Sequence, residues 1–135
     1  MLPEDFFVGL SKTVTEVCNK KSVIAFESHG GKNLSKFMPH ETEYHMVDRK
    51  FQAWKQDKMG NYYQGEVDSK GRADGWGVLV GPGYTGVVVG YWKEHALHGQ
   101  ATVYRDGDKW EGPYENGARH GDFSRTYLTG KSFRK

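Results

Sequence analysis

The sequence predicts a mainly β chain (α+β overall): a single elongated, twisted, antiparallel sheet of stacked β-hairpins, preceded by an N-terminal helix. Three observations carry this reading. Aromatic–x–Gly steps recur at near-constant spacing through the second half of the chain. Aromatic residues make up 14% of the sequence although hydrophobic residues make up only 36%, and there are 18 glycines, a composition suited to strands and tight turns rather than disorder. An apolar stripe at helical spacing opens the chain.

The first element is a helix over residues 3–19, PEDFFVGLSKTVTEVCN. Phe6, Phe7, Leu10, Val14, Val17 and Cys18 fall three or four apart and form one stripe. Pro3 suits a first helical turn, Glu4 and Asp5 complement the positive end of the dipole, and Asn19 with Lys20 and Lys21 reads as the C-terminus. The next segment, SVIAFES, has β-branched members and runs into HGGKN, which predicts a strand and a Gly-Gly turn. Pro39 interrupts residues 32–50, which read as a short helix or a loop. Phe51 to Trp54 alternates as a strand, and QDKMGN turns into YYQGEV. These features divide the chain into an N-terminal α+β capping segment, 1–58, and a repeat region, 59–135.

Within the repeat region three units align: 63–87, 88–109 and 110–133. Their first glycines are Gly65, Gly90 and Gly112, spaced 25 and 22 residues, and their later glycines are Gly75, Gly99 and Gly121, spaced 24 and 22. Asp74, His98 and His120 precede the later glycines. Val67, Trp92 and Tyr114 follow the first glycines by two positions. Each unit is expected to hold two short strands, with turns such as ENGARHG and Asp106-Gly107. Period-2 alternation puts Trp110, Gly112 and Tyr114 on one face of a strand, where a neighbouring ring can lie over the bare glycine.

These residues resemble the MORN (membrane occupation and recognition nexus) repeat, whose pattern is approximately Y-x-G-x-W-x-x-G-x-x-H-G-x-G followed by a D-G turn. The third unit matches at Trp110, Gly112, Tyr114, Gly117, His120 and Gly121, with Phe123 where the pattern has glycine. The second matches at Gly90, Trp92, His98, Gly99 and Asp106-Gly107, and departs at Val88, His95 and Ala101. The first matches at Tyr63, Gly65, Gly75 and Gly77, with Asp74 in place of histidine. The resemblance covers residues 62–133. It implies a scaffold or accessory subunit of a larger complex, in assemblies tied to membranes, cytoskeleton or cilia. The aromatic surface that docks a protein partner is assigned to Tyr63, Trp92, Trp110 and Tyr114.

The remaining motifs favour no catalytic chemistry. His95-x-x-His98 has zinc-like spacing, but it falls in a turn with no Cys or Glu cluster beside it, so no metal and no cofactor are expected. His98 and His120 occupy equivalent positions, with Asp74 at the end of the row; a hydrogen-bonding ladder that pins the turns is the reading preferred over close stacking of the rings. GVLVGPGYTG lacks the Gly-Lys-Ser/Thr ending of a phosphate loop and reads as a hairpin turn. No glycine–x–Ser–x–glycine elbow occurs. About sixty N-terminal residues leave no room for a catalytic domain, so the chain is not read as an enzyme. Net charge is +2, from 19 basic and 17 acidic residues, which argues against a nucleic-acid partner.

The tail after Asp122 carries Arg125, Lys131, Arg134 and Lys135 and no acid. It supports an alternative function, a peripheral lipid-associating module that binds anionic headgroups. Exposed strand edges would also permit a homodimer. The single Cys18 excludes an internal disulfide and points to an intracellular, reducing compartment, with a packed thiol rather than a nucleophile. The N-terminus has no basic n-region and no stretch is long enough for a membrane span, so a secreted or transmembrane protein is not expected.

Overall fold

A computed structural model of the chain describes residues 9–29, 49–127 and 132–134, the last three through their backbone alone. Two helices, α1 (Leu10–Val17) and α2 (Lys20–Ser28), precede the strands. The strands are β1 (Lys50–Gln56), β2 (Tyr62–Val67), β3 (Ala73–Gly81), β4 (Gly86–Lys93), β5 (Ala96–Arg105), β6 (Asp108–Glu115), β7 (Ala118–Arg119), β8 (Ser124–Thr126) and β9 (Ser132–Arg134). They form one antiparallel sheet in the order β1-β2-β3-β4-β5-β6-β8-β9, with β7 also paired to β6. Successive strands are sheet neighbours, so the sheet is built from local hairpins as the repeat spacing predicts. No helix among the described residues is long and apolar enough to cross a membrane.

The helical region differs from the expectation in two ways. The expected helix over 3–19 is observed from Leu10 to Val17, while Pro3, Glu4, Asp5, Phe6 and Phe7 lie outside the described residues. The expected strand SVIAFES is instead helix α2. Asn19 is not a helix end: its side-chain carbonyl accepts a hydrogen bond from Ser22 N at 2.9 Å and so caps the start of α2. Ser22, Ala25 and Phe26, three and one apart, turn together toward the sheet and are buried. That helical face outweighs the β propensity of Val23 and Ile24. The expected Gly-Gly turn at 30–31 and residues 32–48 lie outside the described residues.

Both helices cover one face of the sheet. Leu10, Val14, Ala25 and Phe26 pack with Trp76, Val78, Val80, Val87, Val89 and Tyr104. Phe26 meets Tyr104 edge to face at 5.3 Å between ring centroids. The helices are also latched to the sheet's turns: Asn19 Nδ2 donates to Gly83 O, and Asp106 N donates to Ser22 Oγ. Cys18 sits beneath this layer, where its thiol donates to Gly86 O at 3.5 Å. Burial pushes the thiol up to about 11, from an ordinary value of 9.0. At pH 8 the folded protein should therefore react with a thiol-specific disulfide reagent roughly 100-fold more slowly than the urea-unfolded chain. Stopped-flow absorbance of the two states checks this, and equal rates would contradict the packing.

The sheet carries one irregularity three times. Gly65 pairs with Gly77 and Val67 with Ala73, so two steps on β2 face four on β3. Gly90 pairs with Ala101 and Trp92 with Leu97, so two steps on β4 again face four on β5. Glu111 pairs with Ser124 and Tyr114 with Arg119, so three steps on β6 face five across β7 and β8. Each time two residues bulge from the return side. At each bulge sits one of the later glycines, Gly75, Gly99 and Gly121, with φ of 108°, 113° and 92°. L-residues rarely adopt these angles, which is why glycine recurs here. The residue after each first glycine lies beside it, but only Glu66 at Gly75 takes the space a side chain would need; Tyr91 at Gly99 and Pro113 at Gly121 stand at ordinary contact distance. The β1–β2 irregularity differs, since Gln52 to Lys55 faces Gly65 to Tyr63. It adds one residue rather than two.

The first glycines serve a second purpose. Gly65, Gly77, Gly90, Ala101 and Gly112 lie side by side across five strands. Rings lie on this bare track: the Tyr63 phenol crosses Gly77, and Phe123 covers Gly112 at 2.6 Å from where a Cβ would stand. Phe123, a departure from the repeat pattern, is thus the ring over the last glycine of the row.

The turns also sort by chemistry. DKMGN and DSKGR close β1–β2 and β2–β3 alike. The Asp57 carboxylate accepts from Met59 N and Asn61 N, and the Asp68 carboxylate accepts from Lys70 N and Arg72 N. Asp106-Gly107 and Asn116-Gly117 are two-residue turns with positive φ at both positions, the geometry that suits hairpin twist. ENGARHG is therefore not one turn. It comprises the Asn116-Gly117 turn, β7 and the bulge at Gly121. GVLVGPGYTG is a hairpin connection, as expected, with Pro82 to Thr85 as its turn.

Candidate docking face

The sheet face opposite the helices is built from the alternate residues of each strand. Lys55, Tyr63, Leu79, Val88, Val103, Trp110 and Arg125 pair in sequence across it. At the usual strand spacing this row spans about 30 Å. Trp92, Leu97, Ala101 and Tyr114 join the same apolar cluster. All four aromatic residues assigned to docking, Tyr63, Trp92, Trp110 and Tyr114, therefore share this face and point away from α1 and α2.

The four differ in what they expose. Tyr63 and Trp92 are 9% and 6% exposed and act mainly as packing groups. Their rings meet edge to face at 5.9 Å. Tyr63 OH donates to Glu66 O at 2.8 Å, and Trp92 Nε1 donates to Gly77 O at 3.1 Å. Burial holds the Tyr63 phenol well above its usual range. Trp110 and Tyr114 remain partly exposed. Of the four, Tyr63 and Trp92 shape the floor of the face, while Trp110 and Tyr114 are its more accessible rings.

Two depressions mark this face. The larger, about 440 Å³, lies over β1 to β4 and is lined by Tyr63, Leu79, Ala73, Trp92 and His95 with Lys55 at its rim. The smaller, about 160 Å³, lies over β5, β6 and β8 and is lined by Arg105, Arg119, Arg125, Tyr84, Trp110 and Tyr114. The guanidinium carbons of Arg119 and Arg125 lie 4.9 and 4.4 Å from the centre of the Trp110 ring. Arg105 lies 4.0 Å from the centre of the Tyr84 ring. Such contacts hold arginine side chains in place without neutralising them.

No family model matches the chain, and no curated protein matches it either. The geometry therefore carries the reading of this face.

The other singled-out residues are placed as follows. His98, His120 and Asp74 each engage a different partner. His98 Nδ1 accepts from Asn116 N at 3.4 Å, His120 Nδ1 lies 3.3 Å from Glu115 Oε2, and Asp74 accepts from Arg49 Nε at 2.8 Å. His95 Nδ1 accepts from Ala73 N at 3.4 Å, so His95 and His98 serve different turns. Among the tail cations, Arg125 is engaged: Nε and a terminal nitrogen both donate to Asp108 Oδ2, and the guanidinium also lies over the Tyr127 ring. Lys131 and Lys135 lie outside the described residues, as does the side chain of Arg134.

Sequence reasoning missed Arg105, Arg119 and Tyr84. They belong to three separate segments: β5 pairs with β6 and β6 with β7, which brings Arg105 and Arg119 to one end of the face, and Tyr84 on the β3–β4 turn lies over Arg105. Glu66 was also missed. It is fully buried under the first bulge, where Oε1 accepts from Trp76 N at 2.7 Å and Oε2 has no partner among the described residues. Burial pushes its carboxyl above the ordinary range.

Proposed function

We propose that the chain is a non-catalytic protein-interaction module, a MORN-type scaffold or accessory subunit that docks a partner protein on the open face of its sheet. The observation that carries this reading is the asymmetry of the sheet. One face is covered by α1 and α2, whereas the other bears an apolar and aromatic row that no described element overlies. The floor of this face is closely packed, with Val88 and Val103 6% and 2% exposed, and Trp110 and Tyr114 stand partly exposed on it; a concave, mostly apolar surface with a few polar groups is typical of a binding site. The three bulges support the repeat reading independently, since one sequence period and one backbone irregularity coincide.

Partner capture tests the proposal. The full chain and a Trp110→Ala/Tyr114→Ala variant are used as bait in extracts of the native source. Truncating central aromatic contacts should weaken capture of any specific partner at least about tenfold. Both residues are partly exposed, so the melting temperature should fall by only a few degrees. Equal capture by both baits would remove the open face as the docking site. The lipid-associating alternative is the weaker reading, because Arg125 is already neutralised by Asp108.

A further inference from the structure

The smaller depression has a charge pattern that the apolar groove does not. Three guanidinium groups, those of Arg105, Arg119 and Arg125, line a cavity of about 160 Å³ together with the carboxylates of Asp106 and Asp108. Asp108 is taken by Arg125. Arg105 and Arg119 have no carboxylate within ion-pair distance among the described residues. Arg105 Nε is enclosed and has no acceptor among the described residues. An enclosed guanidinium N–H without an acceptor is costly, and it points to a missing anionic partner. The ring over it belongs to Tyr84, which is 75% exposed on the β3–β4 turn.

Resting on the docking reading, we propose that this depression receives an aspartate or glutamate side chain of a partner segment whose apolar residues lie along the open face. The carboxylate would accept from Arg105 Nε and from Arg119, with its stem against Trp110. Planar, bidentate recognition of this kind is what arginine does best. The charge count sets the chemistry. Three arginines against two aspartates leave one positive charge, which suits a single carboxylate. A phosphodiester chain would meet Asp106 and Asp108 in the same depression, with no continuous basic track to follow. A membrane surface would not reach into a recess on the sheet face.

The experiment is a selection of random dodecapeptides displayed on phage against the full chain, followed by solution binding of the enriched peptides. The expected result is a consensus with an acidic residue beside an aromatic or aliphatic one. Binding should fall about tenfold or more in Arg105→Gln/Arg119→Gln and weaken with rising salt. Should that variant not fold, the Arg105 and Arg119 Nε–Hε resonances of the wild-type chain should shift on peptide addition. Enriched peptides without acidic residues that still need Trp110 and Tyr114 would leave the docking reading standing and overturn this inference. Acidic peptides that bind without shifting either resonance would also overturn it. So would Arg105- and Arg119-dependent binding of oligothymidylate or phosphatidylserine vesicles in preference to the peptides. Enrichment of no peptide at all would count against both readings.

Discussion

Gly75→Ala should destabilise the protein by about 3–5 kcal/mol, far more than the same change at the equivalent Gly99. Two costs meet at Gly75. Its φ of 108° is strained for any L-residue, a penalty of about 1–3 kcal/mol. A methyl group there would also overlap the buried Glu66 side chain, and overpacking adds about 1–3 kcal/mol. Glu66 cannot withdraw easily, because its carboxylate holds Trp76 N and it is fully buried. At Gly99 the backbone strain is the same, with φ of 113°, but a methyl would meet only Tyr91 Cβ at 3.6 Å, an ordinary contact. Gly99→Ala should therefore cost only the conformational part. Gly71→Ala, with φ of 79° and open space around it, is the further control at about 1–2 kcal/mol. Urea unfolding midpoints of the three variants check the order. Equal losses at Gly75 and Gly99 would show that the Glu66 contact does not constrain the first bulge.

Phe26→Ala should cost about 3–5 kcal/mol, the usual range for deleting a buried phenyl ring. Phe26 is 1% exposed and its ring meets that of Tyr104, itself fully buried. A domain is commonly stable by about 5–15 kcal/mol, so the variant should melt many degrees lower. Ile24→Ala is the informative companion. On helix α2, Ser22, Ala25 and Phe26 are buried, while Ile24 is only partly so. Ile24→Ala should then cost much less than Phe26→Ala. In a strand, period-2 alternation would put Ile24 and Phe26 on the same face, and the two losses would be comparable. Chemical denaturation of both variants thus tests the helix directly, and similar losses would restore the strand reading.

The legible and illegible parts of this chain divide by the range of the forces involved. Local patterning made the hairpins readable. Glycines at Gly65, Gly90 and Gly112, then at Gly75, Gly99 and Gly121, mark positions where the backbone must come close or take a positive φ, and only glycine meets those needs. Turn dipeptides such as Asp106-Gly107 act within a few residues, so strand order followed from the sequence. The stripe of Leu10 and Val14 likewise announced α1.

Segments whose state depends on distant contacts were misread. SVIAFES has strand-like composition, yet it is a helix because Asn19 caps it and Ala25 and Phe26 find Tyr104 nearly eighty residues away. His98 and His120 recur with the period, but their individual partners, Asn116 N and Glu115, were not legible from it. The roles within the aromatic set were equally hidden: alternation put Tyr63, Trp92, Trp110 and Tyr114 on one face, whereas their unequal burial arises from packing across the sheet. The arginine-lined depression is the extreme case. Its side chains come from the β3–β4 turn, β5 and the turn after it, β6, β7 and β8, and no linear pattern joins them. The amino-acid sequence by itself determined a sheet of sequential hairpins and which residues of a strand share a face, because those follow from backbone sterics and alternation. Only the tertiary structure decided which face the helices cover and where uncompensated charge gathers, because those depend on which distant segments meet.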